Sequence, residues 1–195
     1  MVSVFDKLKE AVFKEIKDNL DPVYTYHSLA HTQDMLAILP NYTKDLELTA
    51  EQIDLLEIAV LFHDFGFLED WKNHEIIGAR KAVEVLGELG FKESSIRTVE
   101  RLILVTKVPQ KPKGLLEKII CDLDLDYLGR PDYEERSELL FKEWEALGVV
   151  NSREEWENIE IRFLENHEFH TEFGRSFRQP VLEEHIKRIK EERNG

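Results

Sequence analysis

The sequence predicts an all-α protein, a single-domain helical fold of about seven to nine helices. Apolar residues recur at helical spacing through nearly the whole chain, and no segment has the alternating pattern of a convincing strand. No internal repeat or low-complexity linker interrupts this pattern. We therefore expect one domain over residues 1–195, with its core over about residues 20–180 and the first and last helices packing on that core.

The first two predicted helices end at prolines. In VFDKLKEAVFKEIKDNL apolar residues return at every fourth position, and Asp21-Pro22 ends the helix. A second helix begins near Ser28 and stops before Pro40-Asn41. The apolar face of the first helix consists of Val4, Leu8, Val12 and Ile16.

The third helix is predicted to be central. Thr49 and Gln52 have the spacing of a capping box at the start of TAEQIDLLEIAVLFHD. The last two turns of this segment are apolar nearly all round, which is typical of a buried helix, and Gly66 is placed to end it. A fourth helix, NHEIIGARKAVEVLGELG, closes at Gly90.

Five more helices are predicted in the remaining chain. SSIRTVERLILVTK has Ser94 or Ser95 as its N-cap, and the loop KVPQKPKG follows. GLLEKIICDLDLDYLG has a strongly apolar face, and Pro131 opens the next helix. SREEWENIEIRFLENHEFH begins with a capping box of Ser152 and Glu155, and PVLEEHIKRIKEE is the last helix.

The composition limits the classes of partner. Apolar residues make up 42% and charged residues 34%, which is typical of a globular protein, and the net charge is -14. Such a surface repels nucleic-acid polymers and anionic membranes, so we expect neither as a partner. A small anionic substrate remains compatible if a metal or local cations supply positive potential, and the acidic helical surface is compatible with a homodimer.

The expected compartment is the cytoplasm. Cys121 is the only cysteine, so no disulfide within the chain can form, and a reducing compartment fits. The start, MVSVFDKLKE, lacks the apolar core of a signal peptide, and no stretch approaches the roughly 20 apolar residues of a membrane span.

A His-Asp pair ends the apolar run AVLFHDFGF. Burying a charge costs several kcal/mol unless the charge is paired or bound to a metal. His63 and Asp64 are therefore candidate metal ligands, a neutral imidazole and a hard carboxylate. In the alternative, the backbone satisfies His63 and Asp64 acts in a turn.

Two other segments carry candidate ligands. In YHSLAHTQDM, His27 and His31 lie one turn apart on one helical face, although a lone histidine there is more often a packed core residue. In IICDLDLDYLG, Asp122 and Asp126 form an i, i+4 pair, and Asp124 lies roughly opposite. At least one of these carboxylates is expected to have a cationic partner, for which a metal is one candidate.

These segments resemble a known family. YHSLAHT, LFHDFGF, NHEIIGA, TK and CDLDLDYLG are similar, in this order, to motifs of a bacterial branch of the HD-domain phosphohydrolase superfamily, over roughly residues 20–180. The resemblance implies an all-helical HD-domain fold with one divalent metal ion. Asp124 matches the last ligand better than Asp122, but Leu123 replaces the commonest Ala of that motif, so the choice stays open. The implied ligands are His31, His63, Asp64 and Asp124.

The implied activity is hydrolysis of a phosphate ester, with a small nucleotide or related phosphometabolite as substrate. Two imidazoles and two carboxylates suit Mn²⁺, Fe²⁺, Co²⁺, Ni²⁺ or Zn²⁺, and Mg²⁺ is a further candidate. No CxxC pattern indicates a structural zinc site. A metal-activated water would attack phosphorus. Asp64 and His63 are the expected catalytic residues, with Asp64 binding the metal and orienting or deprotonating the water.

Other residues are candidates for substrate binding. His74 opens a helix soon after the HD pair, where some HD proteins hold a second metal. Lys107 belongs to a basic loop with Lys111 and Lys113, and a solvated role is the simpler interpretation for Lys111 and Lys113. The predicted substrate-binding residues are His27, His74, Lys107 and Arg130.

Further histidines and the tryptophans have less specific interpretations. His167 and His170 lie i, i+3 in LENHEFHTEF, so they are expected to share a helical face at a pocket rim or on the surface. The tryptophans, Trp71, Trp144 and Trp156, are expected to be packing residues rather than a base-stacking platform.

Two other functions are compatible with these residues. The main alternative is a non-catalytic, metal-containing HD module that binds a ligand for regulation. Iron-dependent oxidation is a further alternative, but the HD-like proteins that carry it resemble a two-metal pattern with more histidines. Only His74 offers that here.

Overall fold

The computed structural model describes residues 4–194 and confirms the all-α prediction. This part of the chain contains nine α-helices and no strand. Short 3-10 helices lie at Phe65–Leu68, Trp71–Asn73 and Asp126–Gly129, and a π-helical turn at Gly174–Arg178 precedes the last helix. The helices are α1 Val4–Asn19, α2 Leu29–Thr43, α3 Ala50–Phe62, α4 His74–Glu88, α5 Glu93–Leu104, α6 Leu115–Asp124, α7 Tyr133–Ala146, α8 Arg153–Asn166 and α9 Gln179–Asn194.

The main core surrounds α3, as the apolar pattern predicts. Leu56, Ala59 and Val60 have no exposed surface, and α3 packs against α1, α2, α4, α5 and α6. A second cluster joins the 3-10 helix after α6 to α8 and α9 around Leu128 and Leu182. α3 therefore delivers its last residues into the interior of the protein.

No helix within residues 4–194 combines the length and the apolar character that crossing a bilayer requires.

The predicted N-cap of α3 is confirmed. Gln52 N–H donates to Thr49 Oγ1 at 3.2 Å, and Thr49 N–H donates to Gln52 Oε1 at 2.9 Å. In α8, Ser152 Oγ accepts from Glu155 N–H at 3.2 Å, but the Glu155 carboxylate accepts from the backbone of Asn151 at 2.8 Å. The return hydrogen bond of the predicted capping box is therefore made to Asn151, one residue before the N-cap Ser152.

The predicted end of α2 and the predicted start of α5 are wrong. α2 continues through Pro40 to Thr43, because Lys44 N–H still donates to Pro40 O at 3.0 Å and holds the next turn. α5 begins after Lys92, so neither predicted serine caps it. Ser95 lies inside the helix, and its hydroxyl donates to Glu51 on α3 at 3.0 Å.

Two glycines allow α4 to approach the end of α3. A Cβ at Gly66 would lie 2.2 Å from His74 O, and a Cβ at Gly78 would lie 2.2 Å from Phe62 O. Gly66 is therefore not the predicted end of α3, which stops at Phe62, but a point of close contact with α4. This contact brings His74 to the carboxyl end of α3.

Candidate metal centre

Three helices each place a potential ligand at one point. His31 lies in the first turn of α2, His63 directly follows α3, and Asp124 is the last residue of α6. His31 Nε2 and His63 Nε2 are 3.3 Å apart. Asp124 Oδ1 lies 3.5 Å from His31 Nε2 and 3.6 Å from His63 Nε2. This group can hold a metal ion.

Asp64 supplies a fourth potential ligand atom, the second oxygen, at the same point. Its Oδ2 lies 3.1 Å from His63 Nε2 and 3.7 Å from His31 Nε2. The atom is buried and has no hydrogen-bond partner among the described residues. A buried carboxylate oxygen without a donor is costly unless a cation neutralises it, and two imidazoles with two carboxylates suit a divalent metal. The residues present therefore fit a metal, and the four predicted ligands lie together.

Hydrogen bonds orient the imidazoles. His63 Nδ1 lies 2.9 Å from Val60 O, and a carbonyl only accepts, so the ring donates from Nδ1 and directs the lone pair of Nε2 to the centre. His74 Nδ1 likewise donates to Trp71 O at 2.7 Å. His74 Nε2 then lies 3.6 Å from Asp64 Oδ1, so His74 borders the centre on the cavity side of that carboxylate.

The electrostatics of the cluster favour positive charge at its middle. Burial alone lowers the pKa of His63, but the carboxylates of Asp64 and Asp124 outweigh it and raise the pKa to about 9. Burial raises the pKa of Asp64, but the surrounding histidines, His63 above all, hold it well below its usual range. The Asp64 carboxylate therefore stays ionised and attracts either a proton on an imidazole or a metal in its place.

The three aspartates at the end of α6 have separate partners. Asp122 is fully buried, and its Oδ1 accepts from the backbone of His170 at 2.8 Å. Its Oδ2 accepts from Thr171 N–H at 2.8 Å and from Thr171 Oγ1 at 2.6 Å. The choice left open by the sequence is thus decided by geometry, because Asp124 alone of this pair faces the two imidazoles.

Asp126 has the cationic partners that the sequence predicts for at least one of these carboxylates. Arg178 Nε donates to Asp126 Oδ1 at 2.6 Å, and Tyr42 OH donates to the same oxygen at 2.7 Å. α6 ends at Asp124 and a 3-10 helix begins at Asp126, so the predicted i, i+4 pairing of Asp122 with Asp126 on one helical face does not form.

A cavity of about 340 Å³ adjoins the centre. Asp64 and Asp124 form part of its wall, and the predicted substrate-binding residues His27, His74 and Lys107 also line it. Lys107 Nζ lies 3.8 Å from Glu75 Oε2. The cavity therefore brings three of the four predicted binding residues beside the candidate metal ligands.

Arg130 lies elsewhere, contrary to the expectation that it binds substrate. It is not among the residues that line the cavity. Its guanidinium donates to Asp34 at 2.7 Å and to Asp132 at 2.8 Å, and it lies 3.5 Å from Asp126. These carboxylates occupy the donors that a phosphate would need, so Arg130 stabilises the fold.

The sequence interpretation missed a second carboxylate-histidine pair. Glu143 Oε1 lies 2.5 Å from His27 Nδ1, and Glu143 Oε2 accepts from the backbone N–H groups of Tyr26 and His27 at 3.0 and 3.1 Å. Glu143 is almost completely buried. It is one of five glutamates in α7, and helical spacing alone did not distinguish it.

The later histidines depart from expectation, whereas two of the tryptophans pack as expected. α8 ends at Asn166, so His167 and His170 do not share a helical face, and instead they line a second cavity of about 330 Å³. The predicted packing role is confirmed for Trp156, which lies in a buried cluster, and for Trp144, which packs against that cluster. Trp71 and Trp144 line the cavity beside the metal centre.

Comparisons with known proteins identify no relative. No family model matches the chain, and neither the curated proteins nor the solved structures include a significant match.

Proposed function

We propose that this protein is a metal-dependent hydrolase of phosphate esters. The observation that carries the proposal is the buried Asp64 Oδ2, which has no hydrogen-bond partner within residues 4–194 and faces two imidazole nitrogens at the wall of a cavity. This arrangement can bind a cation next to a cavity that is large enough for a small substrate. The resemblance of the motifs to HD-domain phosphohydrolases points to the same chemistry.

The proposed ligands are His31, His63, Asp64 and Asp124. A divalent ion bound there, one of Mn²⁺, Fe²⁺, Co²⁺, Ni²⁺, Zn²⁺ or Mg²⁺, supplies Lewis acidity toward a phosphoryl oxygen and lowers the pKa of a water molecule. Asp64 lines the cavity, and its Oδ1 lies 3.6 Å from His74 Nε2. Asp64 can therefore orient the attacking water or accept its proton, and His74 can hold the Asp64 carboxylate in position.

His27 is placed to assist the leaving group. Its Nδ1 is bonded to Glu143, so Nε2 is the nitrogen left for a ligand in the cavity. Burial lowers the pKa of His27, but the hydrogen bond to Glu143 and the nearby Asp64 outweigh it and raise the pKa above its ordinary value. Phe67 stacks on the imidazole at a centroid distance of 4.3 Å and fixes the ring plane. His27 can thus donate the Nε2 proton to the ester oxygen as the P–O bond breaks.

Two aspartates of α6 provide a matched test of this proposal. Asp124→Asn and Asp122→Asn remove one charge each at positions two residues apart, but only Asp124 faces the imidazoles. We would screen phosphate esters and nucleotides with added Mn²⁺, Co²⁺, Ni²⁺ or Mg²⁺, and measure the bound metal of each variant. We expect the wild type and Asp122→Asn to bind metal and turn over a substrate, and Asp124→Asn to lose both.

The proposal can fail in two ways. A His63→Ala variant that folds and keeps both its metal and its activity would refute the assigned centre. Metal binding without turnover of any ester, together with a thermal shift on adding a nucleotide, would favour the non-catalytic ligand-binding module instead.

A further inference from the structure

We infer that the substrate is a phosphate monoester whose leaving group is a compact, uncharged aromatic or apolar alcohol. This inference rests on the proposed function and narrows its substrate class. It comes from the walls of the cavity beside the metal centre, which are a separate observation from the ligands themselves.

Aromatic rings form much of the cavity wall. Besides His27 and His74, six aromatic side chains line it. Such rings bind apolar or planar groups by stacking and by burying their surface, and they offer few hydrogen bonds to a strongly polar group. The six are Tyr26, Phe67, Trp71, Tyr127, Trp144 and Phe163.

Part of this wall is apolar surface that the core does not cover. α7 contributes Leu140 and Trp144, and α8 contributes Ile159 and Phe163, all only partly buried. Trp144 contacts Trp156 edge to face at a centroid distance of 5.4 Å and also lines the cavity. A ligand with an apolar body would bury this surface, which a small inorganic anion would leave exposed.

The charges around the cavity suit one phosphate group. A divalent ion would balance Asp64 and Asp124, and a proton on His27 would balance Glu143. Lys107 lies 3.8 Å from the fourth acid of the wall, Glu75. Lys72 adds one further cation to the wall, so the lined space then carries a small positive charge before substrate enters. A second or third phosphate would exceed that charge and meet these carboxylates, so like-charge repulsion disfavours polyphosphates.

The size of the cavity limits the leaving group. Its volume of about 340 Å³ is near the lower end of the range for small-molecule sites, roughly 300 to 1,000 Å³. The space beside the metal centre therefore accommodates a phosphate with a body of one or two rings.

Three phosphonates that cannot be hydrolysed test the inference on the Mn²⁺-loaded protein. Methylphosphonate, benzylphosphonate and 4-carboxybenzylphosphonate carry the same anionic group on different bodies, and calorimetry measures their affinities. We expect benzylphosphonate to bind at least tenfold more tightly than methylphosphonate, and the added carboxylate to weaken benzylphosphonate binding at least tenfold.

Tryptophan variants test whether the aromatic wall of the cavity causes the preference for benzylphosphonate over methylphosphonate. We expect Trp144→Ala, and separately Trp71→Ala on its surface turn, to reduce the preference for the benzyl group to less than threefold without changing methylphosphonate affinity. Trp156→Phe is the control, since Trp156 packs outside the cavity lining, and it should keep the full preference.

The outcomes separate this inference from the proposed function. If neither methylphosphonate nor benzylphosphonate binds to the Mn²⁺-loaded protein, the proposed function fails, and the inference fails with it. If methylphosphonate binds but the benzyl group adds nothing, or if the added carboxylate costs nothing, the proposed function stands and the substrate class inferred here is overturned.

Discussion

Glu143 acts on His27 with both of its oxygens. One oxygen bonds the imidazole at 2.5 Å, and the other accepts the backbone N–H groups of Tyr26 and His27. The carboxylate therefore cannot turn away from the ring without losing two hydrogen bonds. This fixes both the orientation of His27 and the charge that favours its protonated form.

The pH dependence of catalysis should report this contact. The proposed proton donation needs protonated His27, so we expect the rate to fall as the pH rises through the His27 pKa, which Glu143 raises above its ordinary value. Glu143→Gln removes the charge, so we expect the alkaline limb of kcat/KM to move to lower pH. Glu145→Gln, at an exposed position of α7, is the control. A profile that does not change in Glu143→Gln would show that His27 is not the proton donor.

His167 is held neutral by its surroundings. Burial lowers its pKa to about 4, its Nε2 has no hydrogen-bond partner among the described residues, and its ring lies 4.8 Å from that of Phe169. The unfolded chain, with an ordinary histidine pKa near 6.5, binds this proton more readily. The contribution of neutral His167 to stability is therefore present above pH 6.5 and is lost as the pH falls toward 4.

His167→Phe keeps an aromatic ring and removes the titrating group. We expect the free energy of unfolding to fall less between pH 7 and pH 5 in this variant than in the wild type, because one proton-linked penalty is absent. Urea unfolding at the two pH values measures this difference. Equal decreases in the two proteins would contradict the assignment.

Chemistry carried by local motifs is predictable at the scale of the residue. The HD pair and His31 can be predicted as candidate ligands, because their spacing and their apolar surroundings lie within short segments of the sequence. Hydrogen bonds between residues far apart in the chain cannot be predicted in this way. The backbone partner of Asp122 at His170 is 48 positions away, and Asp34, which binds Arg130, is 96 positions away. No periodicity encodes such contacts, so Arg130 was misassigned.

At the scale of the element, the close contact of α4 with α3 should be sensitive to one methyl group. Gly78→Ala places a Cβ 2.2 Å from Phe62 O, so the helices must separate, and we expect a loss of about 1–3 kcal/mol. Gly87→Ala in the same helix meets nothing within 4 Å and should stabilise by about 0.4–1 kcal/mol. Denaturant unfolding compares the two variants. Similar stabilities would show that α4 is not seated against α3 as described.

The helical spacing of apolar residues predicts that the helices exist, but it does not predict where they begin and end. Caps were predicted correctly where a local hydrogen bond decides the boundary, as at Thr49. α2 passes Pro40 because the following turn keeps its bonds, and Ser95 bonds α3 instead of capping α5. Tertiary contacts thus overrode the local signals at these boundaries.

For the whole molecule, the candidate centre joins α2, α3 and α6. A metal that binds only the folded chain stabilises it by about 2.7 kcal/mol at a concentration one hundred times its Kd. We therefore expect Mn²⁺ to raise the Tm of the wild type by several degrees, since about 2–4 °C corresponds to 1 kcal/mol at this size. Asp124→Asn should show no rise, and a chelator should reverse the rise in the wild type. An equal rise in Asp124→Asn would place the metal elsewhere.

The paired roles of Asp122 and Asp124 have a consequence for hydrogen exchange. Asp124 faces the imidazoles of His31 and His63. Asp122, half a turn earlier, accepts hydrogen bonds from the backbone N–H groups of His170 and Thr171. A local opening of the end of α6 releases both sets of contacts together. We therefore expect the two amides to exchange more slowly with solvent when a metal binds the candidate centre, although neither amide touches it.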